Sequence, residues 1–365
     1  MTNATKLILV GGFLGAGKTT MLSRLANILA NRDVKVGLVS NDQATDLVDT
    51  AVLTKTGCDT KEVSGSCFCC NFLGFEAALR SLKEKSGVDI IIAEPVGSCT
   101  DLSATILQPL KDKYKNDYDL AAFSVLVDPK RLAEILAGGD SGLHASSAYI
   151  VRKQLEEADM IVINKCDLLT PAEAAKLTEA AAKAYPQAKV FCVSAQEGAN
   201  VESWLDAVLS STGSGKNLTE VDYDIYAEGE AVLGWFNADI TLSGHADWNA
   251  LLSKYVNALA ERFASKDQAI GHLKVLMSDA AGDTFAVANL TSGKDAIRIR
   301  GEVAAGPEAQ LIVNARVEMS PEELEEAIFQ VLDAACGDAV QHKVVSYKCL
   351  MPGRPAPTYH YDQVI

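Results

Sequence analysis

Three groups of residues in this sequence have types and spacings that do chemistry. The first is Gly12-x-x-x-x-Gly17-Lys18-Thr19, entered straight from the apolar run Leu7–Val10. Glycines at positions 12, 15 and 17 let the backbone curl, so that N–H groups along Gly12–Thr20, Ala16 and Thr20 included, point at phosphate oxygens. Lys18 reaches the β- and γ-phosphates, and the Thr19 hydroxyl is placed to ligate Mg²⁺. The helical pattern that follows adds its positive N-terminal dipole to the same anion site. The second group, Asn164-Lys165-Cys166-Asp167, ends another apolar run, Met160–Ile163. An Asp167 carboxylate accepts hydrogen bonds from the N1–H and amino groups of guanine, which adenine cannot supply. Asn164 orients the loop, the Lys165 stem lies along the ring, and Ser194-Ala195 supports the other side of the base. These residues point to GTP.

The third group is Cys67-Phe68-Cys69-Cys70, in a loop rich in glycine and serine. Three sulfurs within four residues suit a thiophilic metal such as zinc, Cu(I), cobalt or nickel, with a further ligand from elsewhere. Neighbouring cysteines also support thiol redox chemistry, and that alternative stays open. Two segments link the thiols to the nucleotide: Ser40-Asn41-Asp42 and Glu94-Pro95-Val96-Gly97. Glu94 is expected near Mg²⁺, and the Gly97 N–H near the γ-phosphate. Lys18, Asp42 and Glu94 are the candidates for catalysis, the first by charge and the acids by positioning water. Cys99, two residues past Gly97, is an open candidate for a further sulfur ligand. No arginine in the sequence suggests itself as a cationic finger, so slow intrinsic turnover is expected.

Positioning these groups requires an α/β layer. Up to about residue 210, short apolar strands (6–11, 35–40, 89–93, 121–127, 160–163 and 189–193) alternate with amphipathic helices (19–31, 72–85, 146–157 and 171–185). That rhythm predicts a phosphate-loop fold with a mostly parallel sheet covered on both faces. The small polar stretch 211–220 reads as a linker. Residues 221–350 read as a smaller α+β domain, with strands near 231–241, 271–278, 284–290, 310–318 and 343–349. Its two helices are expected at 246–263 and 321–335, the second opened by a Ser320/Glu323 capping box. Residues 351–365, rich in proline, read as an extended tail.

Composition bounds the function. The chain of 365 residues is 48% hydrophobic and carries a net charge of −15, which argues against nucleic acid as a partner. No apolar run has the length of a membrane span, and the sequence enters its first strand without a leader-like segment. Nine cysteines, an odd number, favour thiol or metal chemistry over a disulfide framework. The expected location is the cytoplasm.

Taken together, GGFLGAGKTT, the Cys-x-Cys-Cys loop, the Glu-x-x-Gly segment and QLEEADMIVINKCDLL resemble the CobW-type metallochaperone GTPases, relatives of the GTPases that load nickel into urease and hydrogenase. The late segment Gln310–Leu332 is more faintly similar to that family's final strand and helix. The resemblance implies that Gly12, Gly15, Gly17, Lys18, Thr19 and Thr20 hold phosphates and Mg²⁺. It implies a metal-responsive motif at Cys67, Cys69 and Cys70, a switch at Glu94 and Gly97, and guanine binding by Asn164, Lys165 and Asp167. Asp128 matches an acidic residue at the end of a strand, with no chemistry assigned. Two departures stand out. After its second strand the chain has Asn41-Asp42-Gln43-Ala44-Thr45 in place of Asn-Glu-Phe-Gly-Glu, and the five histidines are scattered. A single tight metal site is therefore expected, with His360 the histidine to examine.

The function these readings imply is a GTP-hydrolysing metallochaperone that passes zinc or cobalt to a client metalloprotein and forms a nucleotide- or metal-dependent homodimer. The alternatives are a GTPase assisting a corrinoid-dependent enzyme and a thiol-redox-sensing GTPase.

Overall fold

The computed structural model describes residues 4–42, 48–266, 268–291 and 297–365; the side chain of Asp42 lies outside the described part. Strands that are apolar at nearly every position need cover on both faces. The first sheet has it. Its strands are β1 (Thr5–Gly11), β2 (Val36–Asp42), β3 (Asp59–Ser64), β4 (Ile90–Glu94), β5 (Tyr118–Leu120), β6 (Ser124–Val127), β7 (Met160–Ile163) and β8 (Lys189–Cys192). All pair in parallel, in the order β3-β2-β4-β1-β6-β7-β8, with β5 also on β1. The helices between them are α1 (Lys18–Ala30), α2 (Val48–Thr54), α3 (Phe72–Ser81), α4 (Gln108–Lys113), α5 (Pro129–Leu136), α6 (Ala145–Glu157), α7 (Pro171–Ala184) and α8 (Val201–Leu209). Alternation along β1 splits the core. Ile8 and Val10 join Leu22 and Leu25 of α1 and Trp204 of α8. Leu7 and Leu9 join Phe72 and Phe75 of α3 and Ile150 of α6.

After α9 (Tyr223–Ala231) comes an antiparallel sheet of β9 (Gly234–Gly244), β10 (Ile270–Asp279), β11 (Phe285–Leu290), β12 (Arg298–Glu302), β13 (Glu308–Val317) and β14 (Val340–Leu350). Their order is β12-β11-β10-β13-β9-β14. Helices α10 (Trp248–Ala264) and α11 (Pro321–Cys336) cover one face of it. The Ser320/Glu323 capping box is formed at the start of α11. Along β10, Leu273, Val275 and Met277 enter that core. His272 and Lys274 therefore share the opposite face, which looks toward the first sheet.

Several elements differ from the sequence reading. Strand β3, DTKEVS, is a polar edge strand with only Val63 buried, so no apolar run announces it. The cysteine loop directly follows β3, so it still falls between the strands expected at 35–40 and 89–93. Strand β12, RIRGE, hides for the same reason. Of the stretch expected at 121–127 only β6 is strand, and the short β5 lies just before it. Helices α2 and α5 were not anticipated.

The polar stretch 211–220 is tied down. The Asp159 carboxylate accepts from the N–H groups of Gly215 and Lys216 at 2.7 and 3.0 Å, and Gln108 donates to the Gly215 carbonyl at 2.8 Å. Helix α9 packs on α6, where Ser147 donates to the Gly229 carbonyl at 2.8 Å and Tyr226 joins the first core. Among the described residues, no helix is long and apolar enough to cross a membrane.

Candidate functional site

The loop between β1 and α1 has the left-handed backbone its glycines were expected to supply, with φ of 126° at Gly12 and 93° at Gly17. A Cβ at Gly12 would fall 2.1 Å from the Leu126 carbonyl oxygen, and one at Gly17 would fall 2.3 Å from the Asn164 side chain. Any other residue at either place breaks the cradle. Lys18 is buried, donates to the Gly12 carbonyl at 2.9 Å, and lies 3.7 Å from Glu94. Burial pulls its pKa below the ordinary lysine value.

Asn164 joins this loop to the base-reading loop. Its Nδ2 donates to the Ala16 carbonyl at 2.9 Å, and its Oδ1 accepts from the Ala195 N–H at 2.9 Å. Ser194 donates to Asp167 Oδ1 at 2.6 Å, fixing the carboxylate expected to read guanine. Arg298 of β12 stands 3.8 Å from the other Asp167 oxygen. Lys165, with φ of 61°, donates to Asp128 at 2.8 Å. Asp128 therefore has a role the sequence did not suggest, holding the lysine expected under the base. Its carboxyl pKa is lowered: burial works against the charge, but Lys165 outweighs it. Gly15 and Thr20 line the same cleft as Lys18 and Asp167.

The Thr19 hydroxyl lies between two acids. It is 2.6 Å from Asp49 Oδ1 and 3.1 Å from Glu94 Oε2. Burial, reinforced by the Asp49 charge, pushes Glu94 up to about 7 against the pull of Lys18. Asp49 is itself held below the usual carboxylate range. Burial opposes its charge, but the Lys274 ammonium at 2.5 Å prevails. A hydroxyl and two acids converging on one point are the hard oxygen donors that Mg²⁺ takes, so this set fits that ion. Of the two acids, the sequence singled out Glu94 but missed Asp49. The available signal was its place shortly after β2, where it competes with Asp42 and Asp46. Asp42, the other acid expected to act here, has its side chain outside the described part.

The cleft above these groups, about 1410 Å³, is walled on its far side by the antiparallel sheet, through Trp235, His272, Lys274, Phe285, Arg300 and Arg316. Helix α2 is tied to that wall. The Val48 N–H donates to Asn314 of β13 at 2.8 Å, and Asp49 pairs with Lys274 of β10. Nothing in the sequence reading joined the second sheet to the nucleotide site.

The thiols gather beneath. Cys67 and Cys69 Sγ are 3.1 Å apart, Cys69 and Cys70 Sγ 3.9 Å apart, and all three lie within 4.8 Å of one another. The buried Cys99 packs in the same cluster as Cys67 and Cys69, close enough to perturb both thiols. Asn41 frames the loop, donating to the carbonyls of Val63 at 2.7 Å and Ser66 at 2.8 Å and accepting from the Phe68 N–H at 2.8 Å. Hydrogen bonds from the neighbouring thiols hold Cys67 well below the usual thiol range. Interaction with the Cys67 sulfur, and after it burial, pushes Cys69 and Cys99 well up and Cys70 to about 11.

Residues 351–365 have neither helix nor strand and are strapped over this cluster. Thr358 donates from its N–H to the Cys69 carbonyl at 2.8 Å and from its hydroxyl to the Cys70 carbonyl at 3.1 Å. The Ala356 N–H donates to Cys70 Sγ at 3.3 Å, and Tyr359 packs edge-on against Phe72 at 5.1 Å. His360 pairs with Asp101 at 3.0 Å, so the structure directs it to an acid and away from the sulfurs.

Residues 6–192 match the nucleotide-binding domain of the CobW/HypB/UreG family. The zinc chaperone YeiR of Escherichia coli (strain K12) is 31% identical over 172 residues, 46% of this chain and 48% of that protein. The zinc chaperone CobW of a Sinorhizobium species is 29% identical over 187 residues, 44% of this chain and 50% of that protein. The chain spans about half the length of the curated relatives it matches. Among solved structures, HypB from Helicobacter pylori in complex with nickel aligns with 22% identity over 56% of this chain and 86% of that one, at a TM-score of 0.41. Zn(II)-bound YjiA GTPase from E. coli aligns with 18% identity over 90% of this chain and 99% of that one, at 0.36. With more than half of its length matched by the family's defining domain, the chain belongs to the CobW/HypB/UreG family of nucleotide-binding proteins.

Proposed function

We propose that this protein is a GTP-hydrolysing metallochaperone that holds a thiophilic metal as cargo at Cys67, Cys69 and Cys70 and yields it to a client protein according to nucleotide state. The observation that carries this reading is the segment Glu94–Cys99. Its first residue lies against Thr19 and Lys18, and its last meets the thiols. Between them Gly97 packs so closely on Lys18 that a Cβ there would sit 3.0 Å from Nζ. Gln154 donates to the carbonyls of Gly97 at 3.0 Å and Cys99 at 2.7 Å, making the segment one piece. A γ-phosphate that draws in the Gly97 N–H moves the Cys99 end, as order in such segments follows γ-phosphate contacts.

In this reading Gly12, Gly15, Ala16, Gly17, Lys18, Thr19 and Thr20 bind the phosphates. Asn164, Lys165, Asp167, Ser194 and Ala195 bind guanine. Thr19, with Glu94 and Asp49, holds Mg²⁺, which when bound neutralises charge on the phosphates. Cys99 supplies the fourth sulfur. Zinc is the first cargo to test, because two relatives are zinc chaperones; cobalt is the second. Turnover by the isolated protein is slow, the protein works in the cytoplasm, and homodimerisation and client docking follow nucleotide or metal state.

Competition titration of zinc against protein loaded with a GTP analogue, with GDP or with neither tests this. The expected result is one tight site whose affinity changes at least tenfold, about 1.4 kcal/mol of coupling. Affinity indifferent to nucleotide overturns it. The 3.1 Å approach of Cys67 and Cys69 favours one second reading, a thiol switch that gates hydrolysis. Thiol titration before and after mild oxidation, with hydrolysis rates alongside, separates the two.

A further inference from the structure

The face of β10 that looks into the nucleotide cleft carries two groups that the phosphate-loop machinery does not account for. His272 and Lys274 stand at alternate positions of one strand and line the cleft together. Lys274 Nζ lies 2.6 and 2.5 Å from the two Asp49 oxygens, and Asp49 in turn accepts from Thr19, the hydroxyl that marks the γ-phosphate end of the site. His272 is 6% exposed, and neither ring nitrogen has a hydrogen-bond partner among the described residues. A buried imidazole left unpaired is costly unless a ligand or its water completes it. Burial, with Lys274, Arg316 and Lys18 nearby, disfavours the imidazolium, so the ring stays neutral with one nitrogen lone pair free to accept a hydrogen bond.

The packing fixes these groups at that end. The strand enters the cleft at Gly271, where a Cβ would meet Leu14 of the phosphate loop at 2.9 Å, and a Cβ at Gly15 would meet Thr291 at 2.3 Å. Lys274 and its β13 register partner Asn314 both grip the first turn of α2, through Asp49 and the Val48 N–H.

We infer that Lys274 and His272 complete the γ-phosphate end of the site from the second sheet. Lys274 exchanges Asp49 for the γ-phosphate and neutralises its charge from within the same chain, and His272 accepts the hydrogen bond of the attacking water. The inference rests on the GTPase reading above. In the step, the water oxygen bonds to the γ-phosphorus and the bond from that phosphorus to the β–γ bridging oxygen breaks. The electron pair stays on GDP, and the water proton passes to an oxygen of the departing γ-phosphoryl group while neutral His272 holds the water in line. Because β10 belongs to the antiparallel sheet, loss of the γ-phosphate returns Lys274 to Asp49, and the grip on α2 reports which nucleotide is bound.

The experiment compares single-turnover GTP hydrolysis and the affinities for a non-hydrolysable GTP analogue and for GDP, all with excess Mg²⁺. Lys274→Ala is expected to slow hydrolysis at least about 100-fold, the scale of losing one preorganised charge-stabilising donor. It is also expected to weaken the GTP analogue about tenfold or more while leaving GDP unchanged, and Lys274→Arg restores most of both. His272→Ala is expected to slow hydrolysis with neither affinity altered.

Lys55→Ala is the control for mere docking, because Lys55 also bridges to the second sheet, donating to the Gly282 carbonyl at 2.7 Å. It is expected to leave all three quantities unchanged. Unchanged GDP binding shows that each variant is folded. Equal loss of GTP-analogue and GDP affinity in Lys274→Ala, with hydrolysis kept, overturns the assignment of Lys274. An unaltered rate in His272→Ala overturns that of His272. Absence of GTP hydrolysis by the unaltered protein instead removes the GTPase reading itself.

Discussion

The two ends of Glu94–Cys99 solve opposite electrostatic problems. At the Glu94 end, Lys18 and Lys274 face Asp49 and a Glu94 whose pKa burial raises to about 7, so cations and acids already stand together. At the Cys99 end, neighbouring sulfurs perturb one another's thiols in a mostly buried cluster, with backbone N–H groups of the last residues closing one side. The first end is specified by charge and glycine geometry, the second by enclosure. A metal entering the thiol pocket displaces protons from sulfurs whose pKa values are raised, whereas a nucleotide entering its cleft finds its counter-charges in place.

The comparison is broken most sharply by disabling one end at a time. Lys18→Ala is expected to lower GTP hydrolysis roughly 1000-fold or more, through lost charge stabilisation of the transferring phosphoryl group. Zinc affinity of the nucleotide-free protein is expected to persist in that variant. Joint replacement of Cys67, Cys69 and Cys70 by serine is expected to do the reverse, with zinc binding lost and GDP affinity kept. Parallel calorimetric titrations with zinc and GDP check both, and loss of both ligands from either variant would mean the ends are not separable.

A smaller effect tests the base site. Asp167→Ala removes charged acceptors for guanine, worth about 1.5–3 kcal/mol, so GDP affinity is expected to fall roughly 10- to 100-fold with ADP affinity unchanged.

Next comes the strap. Truncation before Pro355 removes the three hydrogen bonds to Cys69 and Cys70. At about 1 kcal/mol each, their loss is expected to speed iodoacetamide labelling of Cys70 by up to about 100-fold, read by mass spectrometry, with little change in hydrolysis.

The smallest effect is a pH dependence. Burial raises Glu157 and Glu230 to about 8, and both accept hydrogen bonds from the segment after Gly97, from Thr100 at 3.0 Å and Ser98 at 2.5 Å. An acid whose folded pKa lies above its unfolded value binds its proton more tightly in the native state. Its stability contribution is therefore full below about pH 4.5 and lost as pH rises toward 8. Glu157→Gln and Glu230→Gln, which mimic the protonated form, are expected to flatten the fall in Tm between pH 6 and 8.5. An unchanged slope in thermal scans would mean these acids are ionised in the native state.

How legible this was depended on which kind of signal each residue gave. The apolar runs of β1, β4 and β7 fall within one residue of their expected places, because strands buried on both faces must be apolar throughout. Edge strands β3 and β12 have no such obligation, and their polar sequences pass for loop. Gly12 and Gly17 were legible because the backbone there forbids any side chain. Asp49, Lys274 and His272 were not, since a single polar residue on a helix turn or strand face has the same local signature whether it meets solvent or a cleft.

The sequence by itself determined the parallel sheet, the phosphate-loop backbone, the Asn164–Asp167 loop at the end of β7 and the sulfur cluster. In each, the defining residues lie a few positions apart, so spacing is already geometry. Only the tertiary structure decided that Asp128 serves Lys165, that Asn41 frames the cysteine loop and that Cys99 joins it. It alone brought the second sheet to Asp49 beside Thr19 and laid residues 356–359 across the thiols. Those contacts join residues far apart in the chain, and packing alone chooses such partners.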